Sequence, residues 1–189
     1  MEVLKLKIVG TSPLMMHSDR LANPLLPETK AHKELTGKRK KTDDDHLAIA
    51  KSEFLSGIYF SESTGIYVPG ANFDATFKAG AKLQKLGTAW TRGALVLTDR
   101  AKLIHAGPKT PEKLWEDTQF VDCRGVKVGT AKVMRYRPVF SEWACELEVA
   151  FNPDVLNMSE VKKTLADAGA LIGVCEYRPR FGRFSVTVE

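Results

Sequence analysis

The chain has 189 residues, of which 43% are hydrophobic and 27% charged, with a formal net charge of +5. This length fits one domain with inserted material and buries enough surface to fold without covalent staples. Three widely spaced cysteines argue against a disulfide framework or a zinc ribbon and favour a reducing, cytoplasmic location. No stretch approaches the roughly 18 consecutive apolar residues of a membrane span, so we expect no membrane partner.

Hydrophobic periodicity and turn residues predict the regular elements. In chain order they are a strand at 3–8, an irregular stretch at 10–41, a short helix at 43–56, a hairpin at 59–68, a helix from a cap at Asn72 to Gly87, β segments at 94–106 and 119–128, a hairpin of strands at 132–137 and 143–151, a helix capped by Ser159 and ending at about 168, and a last strand at 181–188.

The reduced order of these elements is strand, helix, strand, strand, helix, strand. This order predicts an α+β fold with a ferredoxin-like, RRM-like core. Large insertions follow the first strand and the first helix: residues 10–56, a basic loop plus the short helix, and residues 94–130, a β excursion. Residues 1–189 are thus predicted to form a single domain. The fold hosts many unrelated functions and does not predict one by itself.

The positive charge is concentrated in clusters, which points to a polyanion as partner. Residues 30–41 hold six basic residues against one acid, and residues 124–137 contain no acid. Near the C-terminus arginines alternate with aromatic residues, a mixture that suits phosphates and unstacked bases. A lysine run that only keeps a loop solvated is the alternative for each cluster.

Two sets of residues follow from these clusters. The predicted nucleic-acid-binding residues are Lys38, Arg39, Lys40, Lys41, Lys78, Lys82, Arg124, Lys127, Arg178, Arg180 and Arg183. The aromatic residues that either stack on bases or fill the core are Tyr177, Phe181 and Phe184.

Three segments together carry a family pattern. Residues 4–14 contain a strand followed by a Ser-Pro-Leu turn, and residues 65–83 contain Val-Pro-Gly followed by an apolar helix with a basic residue. Residues 168–186 form a glycine-rich loop in which arginines precede the last strand. In this combination the sequence resembles the RAMP superfamily, the ferredoxin-like proteins that build CRISPR effector complexes in antiviral defence and process their guide RNAs.

The resemblance implies a non-catalytic protein that binds RNA or single-stranded DNA, as a homo-oligomer along a strand or as a subunit of a ribonucleoprotein. One alternative is a metal-independent endoribonuclease in which His17 acts on a ribose 2′-hydroxyl as general base or acid. Another is a protein-interaction or inhibitory factor of a mobile element. The sequence has no phosphate-loop, nucleophile or metal-ligand motif, so neither cofactor nor metal is predicted.

Overall fold

The structure, a computed structural model, describes residues 1–189 and is a mixed α and β protein with antiparallel sheets. The helices are α1 (Pro27–Gly37), α2 (Asp43–Gly57), α3 (Gly70–Leu83), α4 (Gly87–Gly93), α5 (Pro111–Glu116) and α6 (Met158–Asp167). The strands are β1 (Glu2–Gly10), β2 (Leu14–Met15), β3 (Phe60–Ser61), β4 (Gly65–Pro69), β5 (Ala94–Val96), β6 (Arg100–Lys102), β7 (Val121–Val128), β8 (Ala131–Phe140), β9 (Ala144–Phe151) and β10 (Phe184–Val188).

The chain divides into two compact units. Unit 1 consists of Met1–Met15, Ser61–Ala106 and Ser141–Glu189, and unit 2 consists of Met16–Phe60 and Gly107–Phe140. Both units are assembled from segments that lie far apart in the sequence. Each therefore depends on long-range contacts.

Unit 1 is built on a four-stranded antiparallel sheet in the order β10-β1-β9-β5. On the central strand β1, Leu4, Leu6 and Ile8 are buried, whereas Lys5 and Lys7 are exposed. Successive side chains of a strand point to opposite faces of the sheet, so this alternation gives the sheet one core face and one charged face.

Aromatic rings from three elements fill the core of unit 1. Phe184 of β10 makes edge-on contacts with Phe73 and Phe77 of α3, at centroid distances of 5.9 and 6.4 Å. Phe77 in turn contacts Trp90 of α4 at 6.1 Å. Such pairs contribute about 0.5–1.5 kcal/mol each beyond the burial of their surface. This cluster fixes α3 and α4 against the last strand.

Unit 2 combines α1 and α2 with the long β7–β8 hairpin. Glu53 of α2 is 6% exposed and accepts hydrogen bonds from Arg135 Nη1 at 2.8 Å and from the Tyr136 backbone N–H at 3.1 Å. The two helices are linked by His32 Nδ1 and Ser52 Oγ, 3.0 Å apart. A buried carboxylate with two donors therefore joins α2 to the hairpin.

Three sequence predictions about helices need correction. The stretch 10–41 is not irregular throughout, because α1 occupies Pro27–Gly37. Pro27 stands in the first turn of α1, where its missing N–H costs no hydrogen bond. The helix has too few apolar residues to show a helical periodicity in the sequence. The predicted helix to Gly87 ends at Leu83, and a left-handed residue, Lys85 with φ 62°, separates it from α4. The helix after residue 157 is capped by Asn157, not Ser159.

The predicted hairpin joining strands at 132–137 and 143–151 is also wrong. β8 pairs with β7 around the turn at Gly129, which has a φ of 61°. β9 pairs with β1 and β5 in the sheet of unit 1. The segment 94–130, expected to be an excursion, thus includes a strand of that sheet. The short separation of β8 and β9 along the chain suggested that they form a hairpin. Strand pairing depends instead on where each strand can bury its apolar face.

Candidate functional site

The first and third of the family-pattern segments lie against each other in unit 1. Residues 173–183, named the C-terminal loop, connect the helical part of the chain to β10. The Gly182 N–H donates to the Pro13 carbonyl at 2.8 Å, and the Arg183 N–H donates to Ser12 Oγ at 2.9 Å. The Ser-Pro-Leu turn therefore supports this loop directly.

Helix α3, which carries the second segment, holds the other end of the loop. The Thr76 hydroxyl shares its proton between the Asn72 carbonyl of its own helix, at 2.8 Å, and the Gly173 carbonyl, at 3.1 Å. The Asn72 amide donates to Cys175 Sγ at 3.6 Å. Thr76 is fully buried. The three segments singled out by sequence thus meet at one place.

The C-terminal loop has an unusual backbone. Gly173, Cys175, Tyr177 and Gly182 have φ values of 79°, 65°, 61° and 73°, in the left-handed region that non-glycine residues rarely adopt. A Cβ at Gly182 would lie 1.9 Å from the carbonyl oxygen of Val174. Glycine is therefore required there, and the contacts to the first turn and to α3 define the loop's conformation.

The three predicted stacking residues have different surroundings. Tyr177 is 42% exposed, whereas Phe181 is 8% and Phe184 2% exposed. Phe181 packs edge-on against Tyr177 at 5.9 Å, and Phe184 belongs to the aromatic core. Core packing accounts for the two phenylalanines, so Tyr177 is the ring that the loop presents at the surface.

The arginines of the C-terminal loop are all exposed. Arg183 Nε donates to the Pro179 carbonyl at 2.8 Å and so braces the loop. Arg178 and Arg180 form no ion pair. Their guanidinium groups are therefore available to an anion in solution.

A concave basic surface, named the basic groove, lies between α3 and α4 and has a volume of about 400 Å³. It is lined by Lys78, Lys82, Lys85, Gly87, Thr88, Thr91 and Arg92. None of the four cations forms an ion pair, and residues 75–98 contain no acid. Like charges that line one surface repel each other, so an anion bound in the groove relieves this repulsion.

Sequence reasoning found only half of this cluster. Lys78 and Lys82 were predicted as binding residues, but Lys85 and Arg92 were not. The run of residues 75–98 without an acid was the available signal. The turn at Lys85 and the packing of α4 bring the four cations together, and neither is visible as a motif.

A second concave surface, named the loop groove, has a volume of about 550 Å³. Its lining residues are Ala79, Leu171, Ile172, Cys175, Glu176, Tyr177, Arg178 and Pro179. Burial raises the pKa of the Cys175 thiol to about 12. The thiol is therefore protonated at neutral pH and is a poor nucleophile.

The open face of the unit 1 sheet has a different character. Lys5 lies opposite Glu148 and Lys7 opposite Glu146 in the register of β1 and β9. The strand residues of this face include no aromatic side chain. An RRM-like stacking platform is therefore not built on this sheet.

The remaining predicted residues belong to unit 2. Lys38 forms an ion pair with Asp45 at 2.5 Å, and Arg124 forms one with Asp122. The acidic partners reduce the charge that Lys38 and Arg124 offer to a ligand. The predicted residues without an ion pair are the exposed Arg39, Lys40 and Lys127 and the half-buried Lys41.

The histidine considered for catalysis also belongs to unit 2. His17 is exposed, and its backbone carbonyl accepts a hydrogen bond from the Tyr59 hydroxyl at 3.5 Å. This contact uses the main chain and assigns no catalytic role to the imidazole. No three His, Cys, Asp or Glu side chains of the chain lie close enough together to hold a metal ion.

Comparison with protein-family models finds no match, and comparison with curated proteins finds none either. None of the six α-helices combines the length and the apolar character needed to cross a bilayer.

Proposed function

We propose that this protein is a non-catalytic, RAMP-type binder of RNA or single-stranded DNA that acts as a homo-oligomer or as a ribonucleoprotein subunit. The observation that carries the proposal is the basic groove. Four cations line it, and no ion pair neutralises them. Phosphate contacts of this kind supply most of the sequence-independent affinity for nucleic acids.

The connectivity of unit 1 supports the proposed ferredoxin-like core. The elements β1, α3, β5, β9, α6 and β10 follow each other along the chain as strand, helix, strand, strand, helix, strand. Their four strands form an antiparallel sheet in the order β10-β1-β9-β5. Numbered along the chain, this is the order fourth, first, third, second. In this proposal the inserted material lies between β1 and α3 and between β5 and β9.

The meeting of the three segments supports the RAMP assignment. The resemblance rests on the Ser-Pro-Leu turn, on the start of α3 and on the C-terminal loop. Their hydrogen bonds, Gly182 to Pro13 and Thr76 to Gly173, make them one local structure. A shared ligand is a physical reason for such distant segments to form a common surface.

Within the proposal the strand binds on the helix and loop side of unit 1. The basic groove holds phosphates, and the guanidinium group of Arg180 holds a further one by a bidentate contact. Tyr177 offers a ring for stacking. The open sheet face is less suitable because its lysines lie opposite glutamates.

The test compares two triple variants with equal loss of charge. Lys78→Gln, Lys82→Gln and Arg92→Gln together remove three cations of the basic groove. Loss of three phosphate contacts should lower the slope of log affinity against log salt by roughly 2, at about 0.7 per contact for a single strand. Fluorescence anisotropy with labelled single-stranded RNA and DNA measures both affinity and slope.

The control variant carries Lys5→Gln, Lys102→Gln and Lys162→Gln, three exposed lysines of unit 1 that do not line the basic groove. It should retain the wild-type slope. Equal losses in the two variants, or no binding by the wild-type protein, would overturn the proposal. Specific RNA cuts made in excess chelator and abolished by His17→Ala would instead favour the endoribonuclease alternative.

A further inference from the structure

The loop groove combines apolar walls with an aromatic edge. Leu171 is 54% exposed at the surface, and Ile172 and Pro179 continue the apolar lining. Tyr177 contributes a ring that is 42% exposed. The volume of the loop groove, about 550 Å³, lies within the roughly 300–1,000 Å³ typical of small-molecule sites.

Charged side chains also belong to this lining. Glu176 provides a carboxylate and Arg178 a guanidinium group. The edge of a nucleobase has both hydrogen-bond donors and acceptors, and its faces are apolar and flat. The apolar walls and the Arg178 guanidinium group therefore match the faces and an acceptor edge of a base, whereas an aliphatic side chain would offer Arg178 no acceptor.

The loop groove and the basic groove share helix α3 as a wall, on sides of the helix about 100° apart. Lys78 lines the basic groove, and the next residue, Ala79, lines the loop groove. A strand whose phosphates lie among the lysines can thus place a neighbouring base against the loop. Positive charge beside an apolar groove favours a nucleic acid over an uncharged peptide as the occupant.

We propose that the loop groove receives one unstacked nucleobase of the bound single strand. This inference rests on the proposed function and names a subsite for it. Base pairing would keep the base within a duplex and out of the groove, so the subsite also provides selectivity for single strands. Walls from α3, from the π-helical segment Ala168–Ile172 and from the C-terminal loop complete it.

An abasic scan tests the subsite. A short single strand is made with one abasic nucleotide at each position in turn, as RNA and as DNA, and the affinity of each version is measured by anisotropy. The wild-type protein should lose about fivefold to tenfold in affinity when one particular base is missing. A difference between the RNA and DNA series shows which strand the subsite accepts.

Ala79→Leu fills the groove from its helical wall without adding charge, and it should abolish the position dependence while leaving the salt slope unchanged. Ala75→Leu is the matched control, since Ala75 stands one helical turn earlier on α3 and is exposed outside the groove. It should behave as the wild type does. Leu171→Ala, paired with the equally exposed Leu95→Ala as control, provides an independent arm if Ala79→Leu unfolds.

The outcomes separate the two proposals. A flat abasic scan in a protein that still binds the strand with a steep salt slope would overturn the base subsite alone. An equal loss for intact and abasic strands in Ala79→Leu would also overturn it, because the groove would then contact the backbone. Absence of strand binding by the wild type would overturn the proposed function as well.

Discussion

The buried Thr76 hydroxyl lies 3.1 Å from the carbonyl oxygen of Gly173, and its single proton is shared between this carbonyl and that of Asn72, at 2.8 Å on the same helix. A side chain in the middle of α3 thus satisfies a carbonyl at the start of the C-terminal loop. Buried backbone carbonyls that lose their partner are costly, so this contact ties the position of the loop to the helix.

Thr76→Val tests this tie. Valine has nearly the same shape but cannot donate, so the Gly173 carbonyl loses its share of the Thr76 proton at a cost of about 0.5–1.5 kcal/mol. Urea denaturation should show this loss of stability, and hydrogen exchange should become faster at the loop amides of Val174 and Gly182. Thr76→Ser retains the hydroxyl and should leave exchange in the loop slow. Equal exchange in both variants would show that the hydrogen bond does not hold the loop.

Two glycines with similar backbone angles allow steric overlap to be separated from strain. Gly182 has a φ of 73° and Gly129 a φ of 61°, but only at Gly182 would a Cβ meet a backbone atom, the Val174 carbonyl at 1.9 Å. Gly129→Ala should therefore cost about 1–2 kcal/mol from the left-handed conformation alone. Gly182→Ala should cost more than about 3 kcal/mol. Chemical denaturation measures both, and similar losses would contradict the close contact between Gly182 and the Val174 carbonyl.

The loop arginines should separate into a bracing residue and a ligand-binding residue. Arg183 donates to the Pro179 carbonyl, so Arg183→Gln should reduce stability by about 0.5–1.5 kcal/mol. Arg180 makes no ion pair, so Arg180→Gln should leave thermal unfolding unchanged while lowering the salt slope of strand binding by about 0.7. An unchanged slope in Arg180→Gln would place Arg180 outside the interface.

The pH dependence of unit 2 should involve His32. Partial burial of the ring lowers the pKa of His32 below the ordinary 6.5; the nearby Glu53 raises it and Arg135 lowers it, each less strongly. The unfolded chain therefore binds more protons than the folded chain below pH 6.5. The contribution of neutral His32 to the free energy of unfolding is therefore fully present above pH 6.5 and is lost as the pH falls through the lowered pKa of the folded state.

Urea denaturation from about pH 7.5 to about pH 5.5, the range in which histidines titrate, measures this effect. Stability should fall with pH in the wild type and fall less in His32→Gln. The same substitution at His46, which is exposed on α2, is the control and should leave the wild-type dependence intact. Identical pH profiles for wild type and His32→Gln would contradict the expectation.

Local patterns were sufficient for several elements. Alternation of Leu4, Leu6 and Ile8 with lysines predicted the first strand, and the acids from Asp43 predicted the start of α2; both are confirmed. These signals are local because strand alternation and helix-end electrostatics act over a few residues. The same holds for Lys78 and Lys82, which one helical turn places together on α3.

The sequence by itself determined the mixed α and β character, the elements with strong periodicity and the residues of the C-terminal loop. Only the tertiary structure decided that β9 pairs with β1, that Phe184 is core and Tyr177 surface, and that Lys85 and Arg92 join the lysines of α3. The physical reason is that strand partners, burial and convergence of charge arise from contacts between distant segments. Such contacts have no fixed spacing along the chain.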